Sequence, residues 1–398
     1  MMAAVAGIVA EYNPFHNGHA YHIAETRRRF GDDCAVVCVL SAHAVQRGEF
    51  AICGAAARTR DALLYGADLV VALPAPWSCA SANRFAEGAL AILSALGIVT
   101  HLSFGMESES LPPLADLAAG MDTPGYRNVF QELRARGLSF PDAQAKAALQ
   151  TMGPEAAALL GGANNSLALC YLRSLRGTGI VPLGIPRVGA AHDAPGIADA
   201  RYASASAIRK LWREGGDFSA YIPGDTDGQR PPLPGEPVDL LRCERAVLAS
   251  LRTLTPKKAL ALPEVGREGL HERLLNAARD ACSLEELYAL AKTRRYTHSR
   301  VRRLVLSAYL GLTEELTAAG PQYVRVLGFT ERGRKLLKVC RGNGTALPVI
   351  TKPASVRLLP EPARRLFEAE CRVDDLYGLA KAEPTPCGGL WRQSPVVV

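Results

Sequence analysis

A chain of 398 residues with 48% hydrophobic and 21% charged residues is globular in composition and long enough for two domains. Its apolar runs fall short of the roughly 18 to 20 residues that cross a bilayer, and Glu11, Asn13 and His16 interrupt the apolar start, so neither a spanning segment nor a secretory signal is expected and the cytoplasm is the expected location. The ten cysteines form no CxxC or Cys/His ligand spacing and read as reduced core residues, no metal ligands are assigned, and the net charge of +7 favours a polyanionic partner.

The run Val5-Ala6-Gly7-Ile8-Val9-Ala10 reads as a buried strand, and a helix is expected over 19–30. Between them lies Asn13-Pro14-Phe15-His16-Asn17-Gly18-His19, an HxGH signature at a strand-to-helix turn. The end of a parallel strand followed by a helix N-terminus is where an α/β sheet binds phosphate. Two imidazoles so spaced can donate hydrogen bonds to an α-phosphate whose charge grows as pyrophosphate leaves, and Gly18 lets the backbone approach the nucleotide. The alternative is a His-rich helix start without chemistry.

Apolar runs at 35–40, 69–73 and 101–104 read as further strands, the last ending at Gly105, with helices over 55–65 and 80–96 between them. This alternation predicts an α/β fold built on a doubly wound parallel sheet. A helical, Ala-rich stretch covers 113–162, and the sheet resumes near 180–183. Gly162-Ala163-Asn164-Asn165-Ser166 is a loop-to-helix junction whose two amides either read a base or ribose or cap the helix. Arg187 follows the last strand and faces either the nucleotide crevice or the sheet edge; His101 and His192 are isolated and read as structural.

Ser204-Ala205-Ser206-Ala207-Ile208-Arg209 opens a helix with two hydroxyls and an Arg. Free backbone N–H groups there suit phosphate and Arg209 can add a charge-assisted contact, or the segment is an ordinary Ser-capped helix. The Gly/Pro/Asp-rich stretch 224–237 reads as a linker. Beyond it helices dominate at 240–254, 269–281, 284–292 and 299–310, giving an expected division into a catalytic domain over 1–225 and a mostly α-helical domain over 226–398. Lys292, Arg294, Arg295 and Arg300 cluster around Tyr296, a pattern that suits phosphate contacts with base stacking and also fits a solvated amphipathic helix.

Taken together, these residues resemble the bacterial tRNA(Met) cytidine acetate ligase family, a branch of the HIGH-type, Rossmann-like nucleotidylyltransferases. The match runs along nearly the whole chain: GIVAEYNPFHNGHAYH from Gly7, VQRGEFAI from Val45, Phe104-Gly105 with Glu107, Asn164-Asn165, Ser204 to Arg209, EGLHERL, KTRRYTHSRVRR from Lys292 and YVRVLGFTERGRKLL from Tyr323. The resemblance implies an enzyme that uses ATP to convert acetate to acetyl-adenylate and acetylates the wobble cytidine of elongator tRNA(Met) to N4-acetylcytidine, with Mg²⁺ as the expected companion of ATP and neither DNA nor a membrane as partner. His16, His19 and Arg209 would be catalytic. Nucleotide-binding positions would be Val9, Ala10, Glu11, Tyr12, Asn13, Pro14, Phe15, His16, Asn17, Gly18, His19, Ala20, Tyr21, His22, Gly105, Asn164, Asn165, Arg187, Ser204 and Ser206, and Lys292, Arg294, Arg295, Tyr296 and Arg300 would meet RNA.

The chain departs from the family pattern in two places. It carries Ala42-His43-Ala44 where Gly-Asn-Phe is usual, and Gly54-Ala55-Ala56-Ala57 where Asp-Lys-Trp-Thr is usual. Either His43 and Arg58 take over the lost contacts or the substrate differs. The competing readings are an adenylyltransferase for another small metabolite and an RNA-binding relative without turnover.

Overall fold

The computed structural model describes residues 4–187, 201–224, 233, 235–266 and 269–398. Most of the 224–237 stretch, His192 and the start of EGLHERL lie outside them. Among the described residues ten strands follow in chain order: β1 (Val5–Ala10), β2 (Ala35–Ser41), β3 (Ala44–Val45), β4 (Glu49–Phe50), β5 (Leu69–Leu73), β6 (His101–Met106), β7 (Val181–Pro186), β8 (Val324–Phe329), β9 (Val349–Ile350) and β10 (Val396–Val397). The main sheet runs β10-β8-β5-β2-β1-β6-β7, with β9 beside β8, while β3 and β4 form a small hairpin.

From β5 through β7 every pairing is parallel. The chain moves outward from β1 to β2 and β5, then returns to lay β6 and β7 on the other side of β1. Strand order therefore reverses between β1 and β6, the place where an open α/β sheet leaves a crevice beyond its strand ends.

Both faces of this sheet are buried, which explains why its strands read as unbroken apolar runs. Val37, Val39, Leu69 and Val71 point into one layer with the helices Ala82–Ala95 and Ala163–Ser174. Val36, Cys38, Val70 and Ala72 point into the other, with Ile23 of the helix Asn17–Phe30 and Leu63 of the helix Ala55–Leu64.

The expected mostly helical C-terminal segment holds for Glu244–Arg252, Leu270–Asp280, Leu284–Ala291 and His298–Leu310, which share a separate core. The chain then returns to the sheet: β8 joins β5 antiparallel, and β10 pairs with β8. A six-residue strand interrupted by Arg325 carries no sign of which sheet it will join, so the sequence pattern missed this return. The helix Glu361–Leu379 ties the two cores together, with Leu366 and Phe367 in the sheet layer and Val373 and Tyr377 in the helical core.

Asp68, just before β5, fastens these pieces. Its Oδ2 accepts from Val36 N at 2.8 Å and from the Arg27 guanidinium at 2.6 Å, and its carbonyl accepts from Thr330 N at 2.9 Å. A Cβ at Gly333 would lie 1.9 Å from that same carbonyl, so the helix Glu331–Asn343 packs here only with glycine. Replacing Asp68 with Ala leaves the buried Val36 N–H without its acceptor and Arg27 without its carboxylate partner, and is expected to destabilise the fold by about 3 kcal/mol, read from urea unfolding midpoints.

Candidate functional site

A cavity of about 270 Å³ opens at the β1/β6 reversal. Its walls come from the end of β1, the loop and first turns of Asn17–Phe30, the ends of β6 and β7, the Gln46-Arg47 loop, the start of Ala163–Ser174 and the start of Ala205–Arg213.

His16 is the N-cap of Asn17–Phe30. Its Nδ1 accepts from Gly18 N at 3.1 Å, and its own backbone N–H donates to His19 Nδ1 at 3.2 Å. Each Nδ1 is thus engaged as an acceptor, so in the neutral rings the proton sits on Nε2. The two imidazoles stack with centroids 3.7 Å apart, over a base formed by Tyr12, whose ring lies 4.8 Å from that of His19. Tyr12 takes φ of +47°, a conformation rare outside glycine, as the chain turns out of β1. A Cβ at Gly18 would come within 2.9 Å of His16 Cε1, so glycine makes room for the imidazole rather than for extra backbone freedom.

Burial holds the His19 imidazole well below the ordinary histidine range, helped by His16, His22 and Arg187. Burial and Arg187 likewise push His22 down to about 4. His22 Nε2 lies 2.9 Å from Ser103 Oγ, which is 2.7 Å from Thr26 Oγ1. This cluster offers neutral hydrogen-bond donors at neutral pH, without the cost of a buried imidazolium.

The cations of the site are held by neutral acceptors, a carbonyl and a hydroxyl for Arg209 and an amide oxygen for Arg187. Arg209, 7% exposed, donates to Asn13 O at 2.8 Å and to Ser206 Oγ at 3.2 Å, and burial lowers its pKa. Glu11 accepts from Gln46 N at 2.8 Å; burial raises its pKa against the pull of that bond and of Arg209, Arg47 and Arg58. On the opposite wall Arg187 donates to Asn164 Oδ1 at 3.0 Å, and Asn164 Nδ2 donates to Glu107 Oε1 at 2.6 Å. Glu107 caps the start of Ala163–Ser174, and a Cβ at Gly162 would collide with its carboxylate.

The cavity brings together Val9, Ala10, Glu11, Tyr12, Asn13, His16, Gly18, His19, Tyr21, His22, Gly105, Asn164, Arg187, Ser206 and Arg209. Six expected nucleotide positions lie off its walls. Phe15 is fully buried beneath the loop, Ala20 packs on the same core, and Pro14 precedes them in the turn. The Asn17 side chain donates to Arg201 O and Ala220 O. Asn165 accepts from Glu107 N and Ser108 N, so its amide pins the loop after β6 rather than capping its own helix, and Ser204 is a plain N-cap bonded by Ala207 N.

His43 and Arg58 do not supply the contacts expected of them. His43 Nε2 sits 3.0 Å from Asp374 Oδ1, and Arg58 is fully buried, donating to the carbonyls of Cys53, Glu11, Ser41 and Ala42. Arg58 braces the turn from behind rather than facing the cavity. Sequence reasoning missed Gln46 and Arg47 as wall residues, although they lie in the VQRGE run, and it missed Phe85, Leu167 and Tyr171, which carry only the apolar spacing of core helices.

On the helical region Lys292 and Arg294 are exposed, as are Lys257 and Lys258 of the helix Pro256–Leu260. Tyr296 is 5% exposed and belongs to the helical core, so it offers no face for base stacking. Arg300 lies 5.4 Å over its ring and donates to Glu264 O. Glu49 pairs with Arg302 and lies 3.6 Å from Arg213, joining the helical region to the hairpin that carries Gln46 and Arg47. Among the described residues no helix is long and apolar enough to cross a membrane.

In comparisons with known proteins, the HIGH Nucleotidyl Transferase family matches residues 2–387. The tRNA(Met) cytidine acetate ligase of Syntrophomonas wolfei is 34% identical over 99% of both chains, and that of Caldanaerobacter subterraneus 35% identical over 94% of both. The crystal structure of Thermotoga maritima TmcAL bound with alpha-thio ATP is similar to this chain with a TM-score of 0.86 at 29% identity, covering 99% of each; its apo form gives 0.89.

The imidazole geometry makes a prediction. In ¹⁵N-resolved NMR of the ligand-free protein, His19 appears as the Nε2–H tautomer at pH 7, and His22 gains its proton with a midpoint of about 4. Because the unfolded chain takes up these protons near 6.5, stability present above that pH is lost as pH falls from 6.5 towards about 4. An imidazolium signal from His19 at pH 6.5 contradicts this arrangement.

Proposed function

The chain belongs to the tRNA(Met) cytidine acetate ligase family of HIGH nucleotidyltransferases, and we propose that it is an ATP-dependent ligase that acetylates the exocyclic amine of a cytidine in tRNA(Met). The observation that carries this reading is the stacked pair of imidazoles on the cavity wall, each with its Nδ1 engaged as an acceptor, together with Arg209 on the same cavity.

In the first step an acetate oxygen attacks the α-phosphorus of ATP in line, the bond to the bridging oxygen breaks, and pyrophosphate leaves with its electron pair. His16 and His19 donate from Nε2 to the α-phosphate oxygens, whose charge grows in the transition state. Neutral donors suit this role, since they need no proton exchange while the reaction runs. Arg209, locked by Asn13 O and Ser206 Oγ, faces the departing pyrophosphate, with Arg47 on the same wall. Asn164 and Arg187, with Gly105 beside them, suit the adenosine end. Acetyl-adenylate then presents a carbonyl with a good leaving group, AMP, to the weakly nucleophilic cytosine amine.

Mg²⁺ keeps several waters and binds through one or two carboxylates plus substrate phosphates. Glu11 is the one carboxylate among the described residues of the cavity wall, and it would be the protein's contact to a Mg²⁺ carried by the triphosphate. The expected residence of Mg²⁺ is on the triphosphate itself.

For RNA, the exposed Lys292 and Arg294, with Arg295 and Arg300 nearby, support a phosphate-binding face on the helical region, and the wobble cytidine of elongator tRNA(Met) is the proposed target. Retention of both histidines and Arg209 in one cavity favours an active enzyme over an RNA-binding relative without turnover. The division into a catalytic part over 1–225 and an RNA-holding helical part is proposed with the addition that β8 and β10 complete the catalytic sheet.

Purified protein given ATP, Mg²⁺, labelled acetate and unmodified elongator tRNA(Met) is expected to place label in N4-acetylcytidine, and His19→Ala to lower the rate by about 10² or more while the fold persists. No label in any nucleoside, from protein that binds ATP, rules the reading out. Lys292→Glu with Arg294→Glu should weaken tRNA binding and flatten its salt dependence by about one log–log unit per lost phosphate contact, leaving acetate-dependent ATP–pyrophosphate exchange unchanged.

A further inference from the structure

Two side chains on the cavity wall take no part in the steps above. The Tyr171 hydroxyl, on a residue 3% exposed, and Gln46 Nε2 are both buried and have no hydrogen-bond partner among the described residues. Buried polar atoms are nearly always paired, so two unpaired ones on a single cavity mark the position of an acceptor that a ligand brings. The nucleotide already has its partners in the histidine pair, Arg209, Asn164 and Arg187. What remains is the acyl substrate.

Tyr171 rises from the helix Ala163–Ser174 one turn beyond Leu167 and two beyond Asn164, so all three share one helix face towards the cavity. Leu167 and Phe85 supply apolar wall next to it. Gln46 is held from both sides: its N–H donates to Glu11 Oε1 at 2.8 Å, and its carbonyl accepts from Arg303 at 3.3 Å. Its carboxamide thus hangs from a fixed backbone. Burial keeps the Tyr171 phenol protonated, with the Glu11 charge adding to the effect, which also puts the two residues in one neighbourhood.

We propose that the Tyr171 hydroxyl and the Gln46 carboxamide form a subsite for a short-chain carboxylate, with its alkyl end against Phe85 and Leu167. This deepens the ligase reading and rests on it. Two neutral donors can hold one carboxylate oxygen while the second stays available to attack the α-phosphorus. They orient the nucleophile without the quenching that an ion pair to Arg would bring. The apolar wall sets the length of chain admitted.

The test is ATP–pyrophosphate exchange without tRNA, run with acetate, propionate and butyrate on the wild type, Tyr171→Phe, Gln46→Leu and Phe85→Leu. Tyr171→Phe and Gln46→Leu are each expected to raise the KM for acetate about tenfold or more with the KM for ATP unchanged. Phe85→Leu is expected to shift the kcat/KM ratio towards propionate. A raised KM for ATP with that for acetate unchanged overturns the subsite and assigns these residues to the nucleotide. Unchanged exchange with impaired transfer to tRNA overturns it in favour of the cytosine base.

Wild type that exchanges with no carboxylate overturns the ligase reading instead. In that case the subsite still has its own readout. Saturation-transfer NMR of acetate with the ADP-loaded protein should give a signal on the wild type that Tyr171→Phe loses, and equal signals on both overturn the subsite.

Discussion

The hydrogen bonds traded between His16 and the first turn of Asn17–Phe30 set the geometry on which the rest of the site depends. A helix start leaves backbone N–H groups unpaired, and a serine or aspartate is the usual remedy. Here an imidazole does that job and a second imidazole reciprocates, so the cap and the reactive pair are one structure. Capping uses up both Nδ1 atoms and thereby selects which nitrogen faces the cavity. Burial then keeps His19 uncharged. Sequence, helix start, tautomer and chemistry are links of a single chain of cause.

Around this start the protein uses carbonyls and fixed amides to hold its charges. Arg209 is moored by a backbone carbonyl of the same loop that carries the histidines, and Arg58 ties that loop, through Glu11 O, to the carbonyls of Ser41, Ala42 and Cys53. Glu107 caps one helix and anchors the Asn164–Arg187 relay. Glu49 links Arg302 of the helical region and Arg213 of the helix that holds Arg209. The Gln46-Arg47 loop is therefore braced by the region proposed to hold RNA, and a shift of His298–Leu310 on RNA binding would be felt at the cavity wall.

Much of this was readable from residues alone. The βα alternation, the HxGH turn and the Arg209 helix are local patterns, with periodicity and spacing that survive without coordinates. What was not readable depends on contacts distant in sequence. Tyr171 and Phe85 look like any core aromatic until the β1/β6 reversal turns them to one cavity. Asn165 and Asn164 are indistinguishable in sequence, and only the approach of Glu107 and Ser108 commits the first to holding the loop after β6. Tyr296 sits among basic residues as a stacking platform would, but it points inward because its helix neighbours need an apolar partner. His43 reads as a substitute ligand until Asp374, more than three hundred residues away, claims its ring.

The return of β8 to the edge of β5 carries a consequence for how the protein is made. A ribosome releases β1, β2, β5, β6 and β7 in order, with the backbone edge of β5 bare until residues 324–329 have emerged. An apolar strand edge left open in this way invites pairing with other chains. Nascent protein must wait, across the synthesis of the whole helical region, for the strand that closes its catalytic sheet. Throughout that interval the native fold itself offers the β5 edge no partner strand.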